Sequence, residues 1–173
     1  MKESGESGEV YLENTECSDM TPEELFLVRL LALADRAGLT TQKYSLMCER
    51  LHTSRYLRDD GARILSVLDT EVQCDYDLLH LLSKLEEHSS RLALELLIFK
   101  GQATDAHRFR LEELLQKGIP YRISDLALRG TELLALGYRG PEVGEALAKL
   151  LEATMRGEVK NEKEVLLQYL KQK

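Results

Sequence analysis

The sequence predicts an all-α protein, an array of short-to-medium antiparallel helices with no sheet. Three observations carry this expectation. No segment sustains strict apolar–polar alternation, and β-branched residues are few. Leucines recur at helical spacing along the chain. Glycines and capping residues punctuate those stripes, as in helix pairs joined by short loops.

Each element has a local cause. Residues 1–20 are rich in Gly, Ser and Glu with little to bury, and read as a disordered acidic leader. Thr21-Pro22-Glu23-Glu24 is a capping box with proline at the first helical position. The helix it opens carries Leu25, Val28, Leu31 and Ala32 on one face and stops near Gly38. A second helix is expected over 41–57, with Arg50, His52, Arg55 and Arg58 toward solvent. Gly61 begins a short third helix with Ile64, Leu65 and Leu68 inward. Asp75 caps a helix striped by Leu78, Leu79, Leu82 and Leu85. Ser89 or Ser90 opens another, carrying Leu92, Leu96, Leu97 and Phe99. A further helix runs from Thr104 to Lys117 and ends at Gly118.

The texture changes at Ile119-Pro120, which blocks a preceding helix. A body-like region over 21–118 and a tail-like region over 119–173 follow. In the tail, Ser124 is expected to cap a short helix ended by a left-handed Gly130. Thr131 caps another, ended by Gly137. Gly140-Pro141 opens a longer one with Val143, Ala146, Leu147, Leu150 and Leu151 on one face, stopped by Gly157. Asn161 starts the last helix, with Glu164 in the capping-box position.

Charge narrows the function. The net charge is −7, and residues 1–24 hold one lysine and eight acidic residues, so the remainder is neutral. A neutral body does not advertise nucleic-acid binding, and any such contact must be a local patch. No run of 18 apolar residues exists and the N-terminus lacks the apolar core of a secretory signal, so no membrane partner is expected. Cys17, Cys48 and Cys74 form neither a disulfide framework nor a zinc pattern, and a cytoplasmic location follows by default.

No catalytic or metal-ligating set emerges. Asp75-Tyr76-Asp77 is the one closely spaced acidic pair with a metal-site look, but it precedes a leucine-rich helix, where carboxylates cap and favour the positive end. His52, His80, His88 and His107 have no metal-ligand spacing, and no nucleophile elbow, P-loop or dinucleotide fingerprint is present. Arg50, His52, Arg55, Arg58 and Arg63 form a candidate phosphate face, diluted by Asp59 and Asp60. His107-Arg108-Phe109-Arg110 is a second basic cluster. Leu136-Gly137-Tyr138-Arg139-Gly140, followed by a helix, has the form of a helix–hairpin–helix that grips a phosphate backbone. Glu142 and Glu145 put negative charge at the same end.

The stretch from Asp125 to Leu170 resembles the C-terminal end of bacterial CCA-adding enzymes, the tRNA nucleotidyltransferases of the poly(A) polymerase superfamily. The matching residues are Asp125, Leu126, Ala127, Gly130, Leu133, Leu134, Gly137, Gly140, Pro141, Val143, Gly144, Leu147, Leu150, Leu151, Gly157, Asn161 and Glu162, in order and spacing. Residues 22–118 fit the helical middle of such enzymes in character only. The resemblance implies a body and tail that hold tRNA, the tail meeting the elbow and the body following the acceptor stem. Chemistry in that family belongs to a head that uses Mg, CTP and ATP, and the head's motifs do not occur in this sequence. The chain alone is therefore expected to carry no cofactor and no catalysis, as a C-terminal portion or a truncated product. Arg129, Arg139, Gly140 and Lys160 are the expected RNA contacts of the tail, and Arg55 and Arg58 those of the body. The rival expectations are a helical module for a protein partner and a helix–hairpin–helix DNA-binding protein.

Overall fold

The computed structural model describes residues 20–171. Of the acidic leader only Met20 falls among them. The described residues form helices and turns with no strand, as the sequence predicts.

Helix α1 spans Pro22–Arg36. Its capping box forms as expected: the Glu24 amide donates to the Thr21 hydroxyl at 3.3 Å, and the Thr21 amide donates to the Glu24 carboxylate at 2.5 Å. The buried face is Leu27, Leu31 and Ala34, so only Leu31 is shared with the expected stripe. The segment is leucine-rich on more than one side, and packing selects between stripes that spacing leaves equivalent. Helix α2 covers Thr41–Arg50, not 41–57. His52 takes a left-handed φ of 51°, and the His52 and Thr53 amides turn back to Glu49 and Cys48 carbonyls. A π-helical turn, Tyr56–Asp60, then runs directly into α3, Gly61–Leu65. Ile64, Leu65 and Leu68 point inward as expected.

Gly61 is demanded by packing. Tyr44 of α2 is fully buried, and its hydroxyl donates to the Leu57 carbonyl at 2.8 Å. A Cβ on Gly61 would lie 2.2 Å from that hydroxyl oxygen.

Helix α4, Asp75–Phe99, is broken at Glu86, where φ is 64° and ψ is 175°. The two expected helices are therefore present, divided three residues before Ser89. Neither serine is the opening cap; both are buried inside the second half. Ion pairs to α5 (Asp105–Gln116) show how sharp the break is. Arg110 pairs with Asp75 at 2.7 Å, while Arg91 pairs with Glu112 at 2.6 Å. In a straight helix positions 75 and 91 would be about 24 Å apart, whereas positions 110 and 112 differ by about 3 Å of rise. The bend brings both halves of α4 onto one short helix. Arg108, paired with Glu95 at 2.6 Å, and Lys100, bonded to Asp35 at 3.0 Å and to the Leu68 carbonyl at 2.7 Å, fasten the second half to α5, α1 and the segment after α3.

The start of α4 corrects the expected cap. Cys74 is the capping position and Asp75 is already helical. The Asp77 carboxylate accepts the Gln73 and Cys74 amides, both at 2.9 Å. The helix expected from Thr104 begins one residue later, with Thr104 as its capping position and the Thr104 amide donating to the His107 ring nitrogen at 2.9 Å.

In the tail a 3-10 turn, Ile123–Asp125, is followed by α6 (Gly130–Ala135), α7 (Pro141–Met155) and α8 (Lys163–Lys171). Ser124 lies inside the 3-10 turn and caps no helix. Gly130 does not end a helix but starts α6, without a positive φ. Its lack of a side chain admits α7, since a Cβ there would lie 3.2 Å from Val143. Arg129, not Thr131, is the capping position of α6. Gly140 caps α7 at φ 52° and ψ −124°, a conformation closed to residues with a Cβ. One buried cluster links Leu31, Ile64, the leucines of α4, Leu111 and Leu114 with Leu133, Leu150 and Leu166 of the tail. Among the described residues no helix is long and apolar enough to cross a membrane.

Urea unfolding of three variants tests these contacts. Gly61→Ala is expected to cost about 1–3 kcal/mol by overpacking against Tyr44. Tyr44→Phe should cost about 1 kcal/mol for the lost hydroxyl bond. Glu86→Gly is expected to stabilise by about 1 kcal/mol through relief of a strained φ/ψ, although glycine elsewhere in a helix interior costs about that much.

Candidate nucleic-acid interface

The six expected contact residues divide into two groups. Arg55 precedes the π-helical turn of the body and Arg58 lies within it, while Arg129, Arg139, Gly140 and Lys160 belong to the tail. Arg55, Arg129, Arg139 and Lys160 are exposed and make no ion pair among the described residues. Arg58 differs. Its guanidinium grips Asp59 through two bonds of 2.6 and 3.3 Å. That contact raises the arginine's affinity for its proton and holds the Asp59 carboxyl below the usual range. Arg63 is similarly tied to Asp60. The basic face read from the sequence is thus reduced by its own aspartates, leaving Arg50 and Arg55 unpaired among the described residues.

One contact in the tail differs from the sequence expectation. Asn161 is not the start of α8. Its side-chain carbonyl accepts the Ala127 amide at 2.8 Å, and its NH2 donates to the Asp125 carbonyl at 2.9 Å. This clasp pins the α7–α8 loop to the strand-like segment between the 3-10 turn and α6. Lys160 adjoins Asn161 in sequence, and Arg129 follows two residues after Ala127. Lys163 adds an ion pair to Glu132 of α6. Arg139 stands at the far end of α6, a helix about 9 Å long.

Gly140 fares differently. The Glu142 carboxylate folds back and accepts the Arg139 amide at 3.1 Å. The same device closes the other tail starts: Asp125 accepts the Arg122 amide at 3.0 Å, and Glu132 the Arg129 amide at 2.8 Å. The starts of the 3-10 turn, α6 and α7 thus each carry their own carboxylate on the amide just before the helix. The side chains of Arg129 and Arg139, and not the helix starts, offer positive charge to a ligand.

The acidic pair Asp75 and Asp77 is split, one carboxylate on Arg110 and the other on backbone amides. Among the described residues no group of three or more His, Cys, Asp or Glu side chains is arranged to hold a metal ion. His80 stacks on Tyr76 with ring centroids 5.8 Å apart, and the Arg156 guanidinium carbon lies 4.9 Å from the Tyr76 ring centroid. Burial and then Lys84 push the His80 pKa down. A cleft of about 400 Å3 opens at the Glu86 break, lined by Arg63 and Arg122 but also by Asp60, Glu86 and Glu87. Sequence reading missed this cleft because Glu86-Glu87-His88 holds neither glycine nor proline.

A family model described as tRNA nucleotidyltransferase domain 2 matches residues 28–170. No curated protein and no solved structure matches the chain.

Two measurements check the tail geometry. Asn161→Ala is expected to destabilise by about 1 kcal/mol and to raise amide exchange at Ala127 while leaving α1–α3 protected. Acid titration gives the second. Lys163 first, and then the Arg129 amide, hold the Glu132 carboxyl below its usual range. A carboxyl depressed in the folded state stabilises the fold above the unfolded value of about 4, and that contribution is lost as pH falls through the folded value. Glu132→Gln should therefore flatten the acid limb of the stability curve.

Proposed function

The chain belongs to the tRNA nucleotidyltransferase domain 2 family, and from that premise we propose that it is a tRNA-binding helical module of tRNA 3′-end processing. The family match over residues 28–170 carries the reading. In it, the tail over 119–173 meets the tRNA elbow and the body over 21–118 follows the acceptor stem. The work done is positioning: phosphates are contacted by side chains and the helical array fits the arm by shape.

The exposed, unpaired arginines support this reading. Arg129, Arg139 and Lys160 on the tail and Arg55 on the body contact phosphates. Arg58 contributes little, because binding would first have to break its bonds to Asp59. Gly140 acts through backbone shape, since Glu142 already occupies the Arg139 amide. That occupied amide also weighs against the helix–hairpin–helix reading, which needs an open helix start. Nucleotide addition, with its Mg, CTP and ATP, belongs to a catalytic head outside this sequence.

Filter binding of tRNA at two salt concentrations tests the proposal. Four phosphate contacts predict a slope of log affinity on log salt of roughly −3. Arg129→Ala, Arg139→Ala and Lys160→Ala should each lower affinity and reduce the slope by about one-half to one. Arg58→Ala should change it little. Folded protein without measurable tRNA affinity would overturn the reading. Incorporation of CMP or AMP by the chain alone, with Mg2+ present, would overturn its non-catalytic part.

A further inference from the structure

Two exposed surfaces of the chain have complementary chemistry. The first is the outer stripe of α1. Phe26 is 54% exposed and Leu33 is 65% exposed, with half-buried Leu30 between them. Arg29 and Arg36 flank this apolar row, and neither makes an ion pair among the described residues. Positions 26, 29, 30, 33 and 36 share one side of a helix, turned away from the packed residues Leu27, Leu31 and Ala34. An amphipathic helix presenting phenylalanine, leucine and arginine outward is the form that lies in an apolar groove with an acidic rim.

Such a groove exists on the other half of the molecule. A channel of about 800 Å3 runs between α7, α8 and the α6–α7 turn. Leu136 and Leu170 supply apolar surface, and the nearly buried Ala146 and Ala153, two turns apart on α7, keep the floor between them free of larger side chains. The lining carries four glutamates against Lys149 and Arg156; Arg156 already bonds Glu152 at 2.7 Å on this surface, and the whole remains two charges negative, so an arriving arginine shares Glu152 and meets Glu145 unpaired among the described residues. From Glu142 to Arg156 it extends about 21 Å along α7, while the α1 stripe from Phe26 to Arg36 needs about 15 Å. The negative lining repels phosphate and the acidic residues 1–20, which leaves a basic, apolar helix as the matching occupant.

We propose that α1 of one copy docks in the α7–α8 groove of a second copy, with Phe26 and Leu33 on the apolar floor and Arg29 and Arg36 against Glu145 and Glu152. The contact joins unlike surfaces. It closes as a two-fold pair, each chain giving and receiving one helix, or it continues to further copies. A single helix in a groove is a small interface, so association falls in the micromolar range. The inference is independent of tRNA binding, and neither fails with the other.

Sedimentation velocity of the full chain across low to high micromolar concentration is the test. The mass should rise with concentration for the native chain. It should stay monomeric for Phe26→Glu/Leu33→Glu, with circular dichroism confirming the fold. Charge exchange supplies the specific control. Arg29→Glu/Arg36→Glu and Glu145→Lys/Glu152→Lys should each associate at least tenfold more weakly alone, and an equimolar mixture of the two should recover association. A native chain that remains monomeric throughout overturns the proposal. So does association that survives Phe26→Glu/Leu33→Glu, or a mixture of folded charge variants that stays monomeric.

Discussion

The break in α4 is the constraint on which the rest of the fold depends. Twelve buried side chains lie along this one element, and it packs against α1, α3, α5 and α7. A straight helix of its length could not offer both halves to a helix as short as α5. The bend at Glu86 does so, and ion pairs on either side of it converge on Arg110 and Glu112. Around the corner itself gather the π-helical turn, through Asp60 and Ser89, and the entry to the tail, through Tyr121 and Glu87. The body and the tail are thus joined at the point of greatest backbone strain.

What the sequence made legible were features with local causes. Thr21 and Glu24, Thr104, Gly118, Gly140-Pro141 and Gly157 all mark element boundaries, because a cap or a positive φ is fixed by residues within one turn. The features it concealed depend on distant partners. Arg50 ends α2 without glycine or proline. Glu86 breaks α4 because the core on both sides needs the bend. Gly61 and Gly130 look like helix punctuation in the sequence, yet they exist to let Tyr44 and Val143 approach.

The candidate interface follows the same division. The sequence placed Arg55 and Arg58 toward solvent on a helix over 41–57, whereas that helix ends at Arg50 and the two flank the start of the π-helical turn. That Arg58 is already occupied, while Arg55 is not, depends on the rotamer of Asp59. Asn161 has the sequence position of a helix cap, but its partners are the backbone of Ala127 and Asp125, more than thirty residues away. The carboxylates that close the tail starts are visible in sequence as Asp125, Glu132 and Glu142. Their effect, to move any phosphate contact from backbone to arginine side chains, needs the geometry.

The contact between Tyr44 and Gly61 also has a historical consequence. A Cβ at position 61 and the tyrosine ring at position 44 crowd each other, so either can change cheaply only if the other gives way. The two positions therefore form one heritable unit. The ring carbons Cε1 and Cζ of Tyr44 would also lie 2.8 Å from that Cβ, so phenylalanine at 44 alone does not clear the way for alanine at 61. Among descendants of this chain, tyrosine at 44 should travel with glycine at 61, which makes their pairing a record of ancestry independent of any ligand.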